Sequence, residues 1–194
     1  MAKLYFRYSA MNSGKTTALI QAAHNYEERG MKVAILKPAV DSKGDDRIVS
    51  RLGVERAADA TLATDDNVSQ ILEGIGAVDC ILIDEAQFLS PLQVTELFWY
   101  AVDHNTPVIA YGLRTDFKTN GFPGATRLLE LAHEISELKT ICRCGKKAIL
   151  NARRVNGQYV LEGEQVEIDD KAHVEYEALC AEDYKQLVLL PRQA

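Results

Sequence analysis

Three groups of residues in this 194-residue chain are of types and spacing that do chemistry. The first, Ser9-Ala10-Met11-Asn12-Ser13-Gly14-Lys15-Thr16, has the make-up of a phosphate-binding loop. Free backbone N–H groups at a helix N-terminus and the positive end of its dipole attract phosphate oxygens. Gly14 lets the backbone approach them, Lys15 reaches the terminal phosphates, and the Thr16 hydroxyl can bind a magnesium ion. The usual pattern begins with Gly, where this chain has Ser9. Ser fits there if the backbone is extended and is costly if φ must be positive. The second group, Asp84-Glu85-Ala86-Gln87-Phe88, closes an apolar run with two acids. Beside a phosphate loop Asp84 is placed to hold magnesium, and a carboxylate next to a γ-phosphate can accept the proton of a substrate hydroxyl. Adjacent strand residues point to opposite faces, so Glu85 need not share the task of Asp84. The plainer alternative is that the two acids only end a strand at the surface. The third group is Cys142-x-Cys144 with Cys180 and, at a matching offset, Asp183. Three thiols and a carboxylate suit zinc, with His173 the competing fourth ligand because imidazole is the commoner one. Three reduced structural cysteines without a metal are the alternative.

These groups need elements to hold them. Lys3 to Tyr8 reads as a buried strand and Thr17 to Arg29 as a helix ending near Gly30, so the phosphate loop lies between strand and helix. Lys32 to Lys37 is a second strand closed by Pro38, Asn67 to Ile75 a helix, and Val78 to Ile83 the strand that leads into Asp84. Asp41 to Leu52 reads as a polar loop with a short helical turn, either plain surface or a wall near the phosphates. Ser90-Pro91-Leu92-Gln93 opens a further helix with a capping box, and Trp99 on that helix serves packing or an interface. Pro107 to Gly112 is the next strand, Arg127 to Leu131 a helix, and Glu134 to Thr140 another strand. Strands separated by helices predict a parallel sheet with right-handed crossovers and a ligand at the strands' carboxyl ends. Leu113 to Gly124 carries Phe117 and Phe122 on an otherwise polar loop, as a lid over a flat ligand or as anchors to the core. After Ile141, strands Ala148 to Arg154 and Gln158 to Leu161 flank an Asn156-Gly157 turn, which between two cysteine knuckles predicts a zinc ribbon. The expected architecture is α/β: a P-loop parallel sheet with flanking helices over residues 1–140 (lid 113–124), plus a small zinc-ribbon-like β subdomain over 141–194.

Composition narrows the partners. A net charge of −6 argues against a nucleic-acid backbone as main ligand. No apolar run approaches the roughly 18 to 20 residues of a membrane span, and the start of the chain lacks the pattern of a signal peptide. The cytoplasm is the expected location, without membrane or nucleic-acid partners, and four cysteines grouped in this way suit a reducing compartment.

With these pieces in hand, the chain resembles the thymidine kinase family, in its zinc-ribbon-bearing branch and closest to the enterobacterial type. The resemblance rests on Leu4-Tyr5-Phe6-x-Tyr8-Ser9-Ala10-Met11-Asn12-x-Gly14-Lys15, Asp84-Glu85-x-Gln87-Phe88, Tyr111-Gly112-Leu113-Arg114-Thr115-Asp116-Phe117, Lys139-Thr140-Ile141-Cys142-x-Cys144-Gly145 and Gly163-Glu164-Gln165-Val166. It implies transfer of the ATP γ-phosphoryl group to the 5′-hydroxyl of thymidine, with deoxyuridine a further acceptor. Glu85 matches the family's proton acceptor, residues 9–16 and Asp84, Glu85, Ala86 and Gln87 its ATP segments, and Thr16 and Asp84 its magnesium site. Phe88, Leu113, Phe117, Phe122 and Tyr176 match the nucleoside site. The family holds the base largely through main-chain groups, which implies no base-reading Asn or Gln. It is typically a homotetramer inhibited by dTTP. This chain departs from the pattern at Asp183, where the family has Cys or His, and in a longer segment between Ile168 and Tyr176. The competing reading is a recombinase-like P-loop ATPase acting on nucleic acid.

Overall fold

The computed structural model describes residues 1–39, 47–165 and 173–190. In chain order the elements are β1 (Leu4–Ser9), α1 (Lys15–Glu27), β2 (Val33–Pro38), β3 (Arg47–Val49), β4 (Glu55–Ala57) and β5 (Ala60–Leu62). Then come α2 (Val68–Ile75), β6 (Cys80–Ile83), a single 3-10 turn at Ala86–Phe88, α3 (Pro91–Asp103), β7 (Val108–Leu113), α4 (Pro123–Leu131) and β8 (Glu134–Glu137). The chain continues through β9 (Thr140–Ile141), β10 (Lys147–Ala148), β11 (Leu150–Val155), β12 (Gln158–Val160), β13 (Val174–Leu179) and α5 (Ala181–Tyr184).

Six parallel strands form the main sheet in the order β5-β2-β6-β7-β1-β8. All four residues of β6 are buried because helices cover both faces of the sheet. On one face Leu4, Phe6, Ile81, Ile83 and Ala110 pack with Leu72, Leu97 and Leu128 from α2, α3 and α4. On the other, Ile35, Cys80, Leu82 and Tyr111 meet Leu19 and Ala23 of α1. The strands' carboxyl ends therefore emerge together, and the phosphate loop and the Asp84–Glu85 pair follow directly from β1 and β6.

Local signals placed several elements. The Gln93 N–H donates to Ser90 Oγ at 3.2 Å and the Ser90 N–H to Gln93 Oε1 at 3.0 Å, the reciprocal capping box at the start of α3. Asn156 (φ 50) and Gly157 (φ 84) supply the positive φ that a tight hairpin between β11 and β12 demands. Trp99 is 55% exposed and rests edge-on against Phe98.

Elsewhere the structure corrects the sequence reading. Within the segment read as a loop with a helical turn, Arg47–Val49 instead forms an antiparallel hairpin with Glu55–Ala57, and residues 40–46 lie outside the described part. β5 joins the sheet edge with three residues and no apolar run to announce it. Glu134 to Thr140 is not one strand: β8 pairs with β1, and Thr140 already belongs to the β9–β10 hairpin. The longer segment expected after Ile168 falls mostly among residues 166–172, outside the described part.

A separate three-stranded antiparallel sheet, β12-β11-β13, builds the second layer of structure. Its small core joins Ala152, Leu179 and Tyr184 to Cys142, Cys180 and, from the phosphate loop, Ala10. Among the described residues no helix is long and apolar enough to cross a membrane.

α4 docks closely on the turn after β6: a Cβ at Gly124 would lie 2.5 Å from Leu89 O, 2.8 Å from Ala86 O and 2.9 Å from Gln87 O. Gly74, inside α2, has nothing within 4 Å of the same position. Gly124→Ala should therefore cost about 1–3 kcal/mol by overpacking, whereas Gly74→Ala should gain about 0.5–1 kcal/mol from helix propensity. Urea unfolding midpoints of the two variants, moving in opposite directions, check the assignment.

Candidate active site

Ser9 closes β1 with an extended backbone and is absent from the positive-φ residues, so of the two possibilities for the missing Gly the tolerant one holds. Its hydroxyl donates to Ala10 O at 2.8 Å and accepts from the Ser13 hydroxyl, which knits the loop from within. The turn itself is made by Asn12 (φ 63) and Gly14 (φ 81), and Lys15 begins α1. A cavity of about 770 Å³ opens over this turn, lined by Met11 through Ala18, Gln21, Glu85, Leu113 and, from the β3–β4 hairpin, Val49, Arg51 and Leu52. Part of the polar loop thus does border the phosphate side. Ser9 and Ala10 are buried behind that cavity.

β6 stops at Ile83, so the two acids lie beyond the strand and part because Glu85 leaves the extended conformation, not by the alternation expected of strand residues. Asp84, 3% exposed, accepts the Thr16 hydroxyl at 3.0 Å, so the two residues expected to share a magnesium ion do meet. Glu85 takes a left-handed conformation (φ 47, ψ 39). A non-glycine residue held there costs of order 1 kcal/mol, and such strain gathers at functional sites. Its carboxylate accepts from Gln87 Nε2 at 2.6 Å, while Gln87 Oε1 accepts the Leu113 N–H at 2.9 Å. Gly112 makes this possible, because a Cβ there would sit 2.8 Å from Gln87 Oε1. Ala86 is fully buried in the main core and lines neither cavity, and Gln87 lines the second cavity rather than the phosphate one.

That second cavity, about 200 Å³, is walled by Phe88, Leu113, Phe117, Phe122 and Tyr176, all five of the residues expected there. Asp116, Asn151, Gln165 and Gln87 complete the wall. The two cavities share Met11, Glu85 and Leu113, so Glu85 stands where they join. Phe88 and Phe122 meet edge to face at 5.5 Å, and Phe117 is 1% exposed with the Arg153 guanidinium 4.0 Å from its ring centre. The loop aromatics are thus buried against the protein and also form part of the cavity wall. Asp116 braces that loop by accepting the Lys118 and Asn120 N–H groups, each at 2.8 Å.

Three wall residues, Asp116, Asn151 and Gln165, stood outside the expected site. Asn151, 2% exposed, accepts the Met11 N–H at 2.8 Å and donates to Thr115 O at 2.8 Å, linking phosphate loop to cavity loop. An Asn inside a strand is the signal that could have found it. Gln165 donates to Asp116 at 3.1 Å. Three carboxamides, those of Gln87, Asn151 and Gln165, line this cavity, each hydrogen-bonded to neighbouring protein groups.

Cys142, Cys144, Cys180 and Asp183 converge, their ligand atoms all within 4.8 Å of one another. Cys144 and Cys180 sulfurs are 3.6 Å apart, and Cys142 Sγ is 3.1 Å from Asp183 Oδ2. Zinc–sulfur bonds of about 2.3 Å at tetrahedral angles separate two thiolates by about 3.8 Å, so the donor set fits zinc. The Cys142 thiol holds the Asp183 carboxyl below its usual range, and the Asp183 N–H does the same for the Cys180 thiol. His173 lies elsewhere, exposed, with its Nε2 3.3 Å from Glu175. Among the described residues it is Asp183, and not His173, that stands beside the three sulfurs.

A thymidine kinase family model matches residues 2–184. The chain belongs to the thymidine kinase family. The thymidine kinase of Ruegeria pomeroyi is 46% identical over 190 residues, covering 96% of this chain and 95% of that protein. That of Enterobacteria phage T4 is 44% identical over 193 residues, covering 96% and 97%, and that of Rhodopirellula baltica 43% over 193 residues, covering 97% and 90%. Nothing in this thymidine kinase relationship favours the recombinase-like reading.

Within this thymidine kinase fold, burial pushes the Lys15 ammonium below the usual lysine value of 10.5, aided by Arg51 and opposed by Glu85 and Asp84. Above its lowered pKa the side chain is neutral and loses its attraction for phosphate. Nucleoside triphosphate affinity, followed by calorimetry, should fall as pH rises through a midpoint below 10.5. Lys15→Arg should flatten that dependence, since Arg stays charged.

Proposed function

We propose that the protein transfers the γ-phosphoryl group of ATP to the 5′-hydroxyl of thymidine, and of deoxyuridine, giving the nucleoside monophosphate and ADP. The observation that carries this reading is the meeting of a cavity lined by the Met11–Thr16 loop and an aromatic-walled one at a single carboxylate, Glu85. Triphosphate lies along Met11 to Thr16, with its γ-phosphate against Lys15. The flat base enters among Phe88, Phe117, Phe122, Leu113 and Tyr176, which points the 5′-hydroxyl back towards Glu85.

Glu85 takes the hydroxyl proton as the 5′-oxygen bonds to the γ-phosphorus. The bond from that phosphorus to the bridging oxygen breaks, and ADP leaves with the electron pair. Lys15 and the loop N–H groups meet the charge on the transferring group, so most of the acceleration comes from positioning and electrostatics. Gln87 keeps the Glu85 carboxylate aimed at the junction of the cavities. Thr16 and Asp84 would hold magnesium, which when bound neutralises charge on the β- and γ-phosphates. The Cys142, Cys144, Cys180 and Asp183 set would hold zinc as a structural brace, since a subdomain with so small a core gains folding energy from a metal.

We read residues 1–140 as the ATP-binding unit and 141–194 as the ribbon that completes the nucleoside site. The four cysteines are free thiols, as a cytoplasmic location requires. A homotetramer is part of the reading by family resemblance.

Glu85→Gln should lower kcat about 10²–10⁴-fold for thymidine, in keeping with the loss of a general base. Its ATP affinity should stay near that of the parent. Retained turnover in a phosphorylation assay run with thymidine, deoxyuridine, deoxycytidine and no nucleoside would refute the base assignment; ATP hydrolysis without nucleoside phosphorylation would refute the reading as a whole. Elemental analysis should find zinc near one per chain, reduced by Asp183→Ala and unaffected by His173→Ala. Loss of zinc in the His173 variant would reverse the choice of fourth ligand.

A further inference from the structure

One side chain links the thiolate–carboxylate cluster to the nucleoside cavity. Tyr184 follows Asp183 directly at the end of α5, and its N–H donates to Cys180 O at 3.0 Å, so the turn that presents two of the four donors also fixes Tyr184. The ring is 3% exposed, packed with Ala10, Cys142, Ala152 and Val188. Its hydroxyl donates to Phe117 O at 2.6 Å, a bond wholly buried. Phe117 lines the nucleoside cavity and not the phosphate one. Its ring rests on Arg153, so the carbonyl bond from Tyr184 is what ties its main chain to the metal turn.

We propose that Tyr184 is a positioning residue that couples the Cys142, Cys144, Cys180 and Asp183 cluster to the nucleoside cavity, so that metal occupancy sets affinity for nucleoside more than for ATP. The inference rests on the functional reading above and adds a route by which the ribbon acts on the reaction. The chemistry is short-range. With the four donors gathered on zinc, the Cys180–Asp183 turn has one geometry, Tyr184 Oη stays within reach of Phe117 O, and the cavity wall keeps its shape. Without the metal the turn is released and a buried carbonyl loses its donor. By linkage the coupling must run both ways: nucleoside that favours the fixed wall also favours retention of the metal.

Tyr184→Phe keeps the ring packed against Ala10 and removes only the hydroxyl. The thymidine KM should rise about three- to ten-fold, the range expected for one neutral hydrogen bond, with kcat, the ATP KM and the zinc content unchanged. An ATP KM that rises in step, or an unchanged thymidine KM, overturns the proposal. A second measurement needs no turnover and no variant. Zinc release to a colorimetric chelator should be slowed by saturating thymidine and not by ATP in the parent protein, and that protection should vanish in Tyr184→Phe. Equal release with and without thymidine, in a protein that calorimetry shows to bind it, overturns this inference alone. A parent protein that binds no thymidine overturns the functional reading and this inference with it.

Discussion

The buried carboxamide of Gln87 accepts the Leu113 N–H at 2.9 Å and donates to Glu85 at 2.6 Å, and the arrangement of both cavities depends on it. It joins the end of β7 to the turn after β6, two neighbouring strands whose carboxyl ends form the floor of the site. Three features crowd around it. Gly112 leaves room for the oxygen, Gly124 lets α4 approach the turn, and the left-handed Glu85 swings its carboxylate away from Asp84. The strain at Glu85 is offset by this bond and by the packing beneath it, so one dipeptide can face a phosphate-side hydroxyl with Asp84 and a cavity junction with Glu85.

The second sheet acts on the site through polar bonds that span the two layers. Asn151 holds Met11 on one side and Thr115 on the other, at 2.8 Å each. Arg153, 2% exposed, stacks on Phe117 and donates to the carbonyls of Glu162 and Glu164. Those two carbonyls and the Phe117 ring face a guanidinium that has been taken out of water, which offsets part of the cost of burying its charge. The loop of Phe117 is therefore tied to its surroundings at several points.

Much of this was legible in the sequence because the signals were local. A loop between strand and helix, a capping box and an Asn-Gly turn each act within a few residues, and all three formed where their residues said. The cysteine spacing places Asp183 beside the three sulfurs because the second knuckle is itself a tight turn, with the Asp183 N–H donating to Cys180 Sγ at 3.4 Å. What was not legible depends on distant partners. β5 is a strand only because β2 offers it an edge, and the β3–β4 hairpin has no apolar alternation to declare it. The left-handed backbone of Glu85 and the double role of Asn151 arise from contacts between β6, β7 and β11 that no window of sequence contains.

Electrostatics give the site its direction. Lys15 is 7% exposed and has lost most of its hydration, yet the anions Glu85 and Asp84 are its neighbours, and Arg51 adds a second cation at the cavity rim. Burial outweighs those carboxylates, since the ammonium is held below its usual value. A cation in that state has unspent capacity for an anion: a phosphate oxygen entering beside it replaces the missing water with a charge-assisted bond, the stronger kind. Glu85 on the same wall opposes a resting anion close to it. In the proposed reaction a triphosphate would therefore lie along the Lys15 side of the cavity, its end near the junction where a second ligand's hydroxyl could reach it. The polarity proposed to bind one substrate would thus also set the line along which it meets the other.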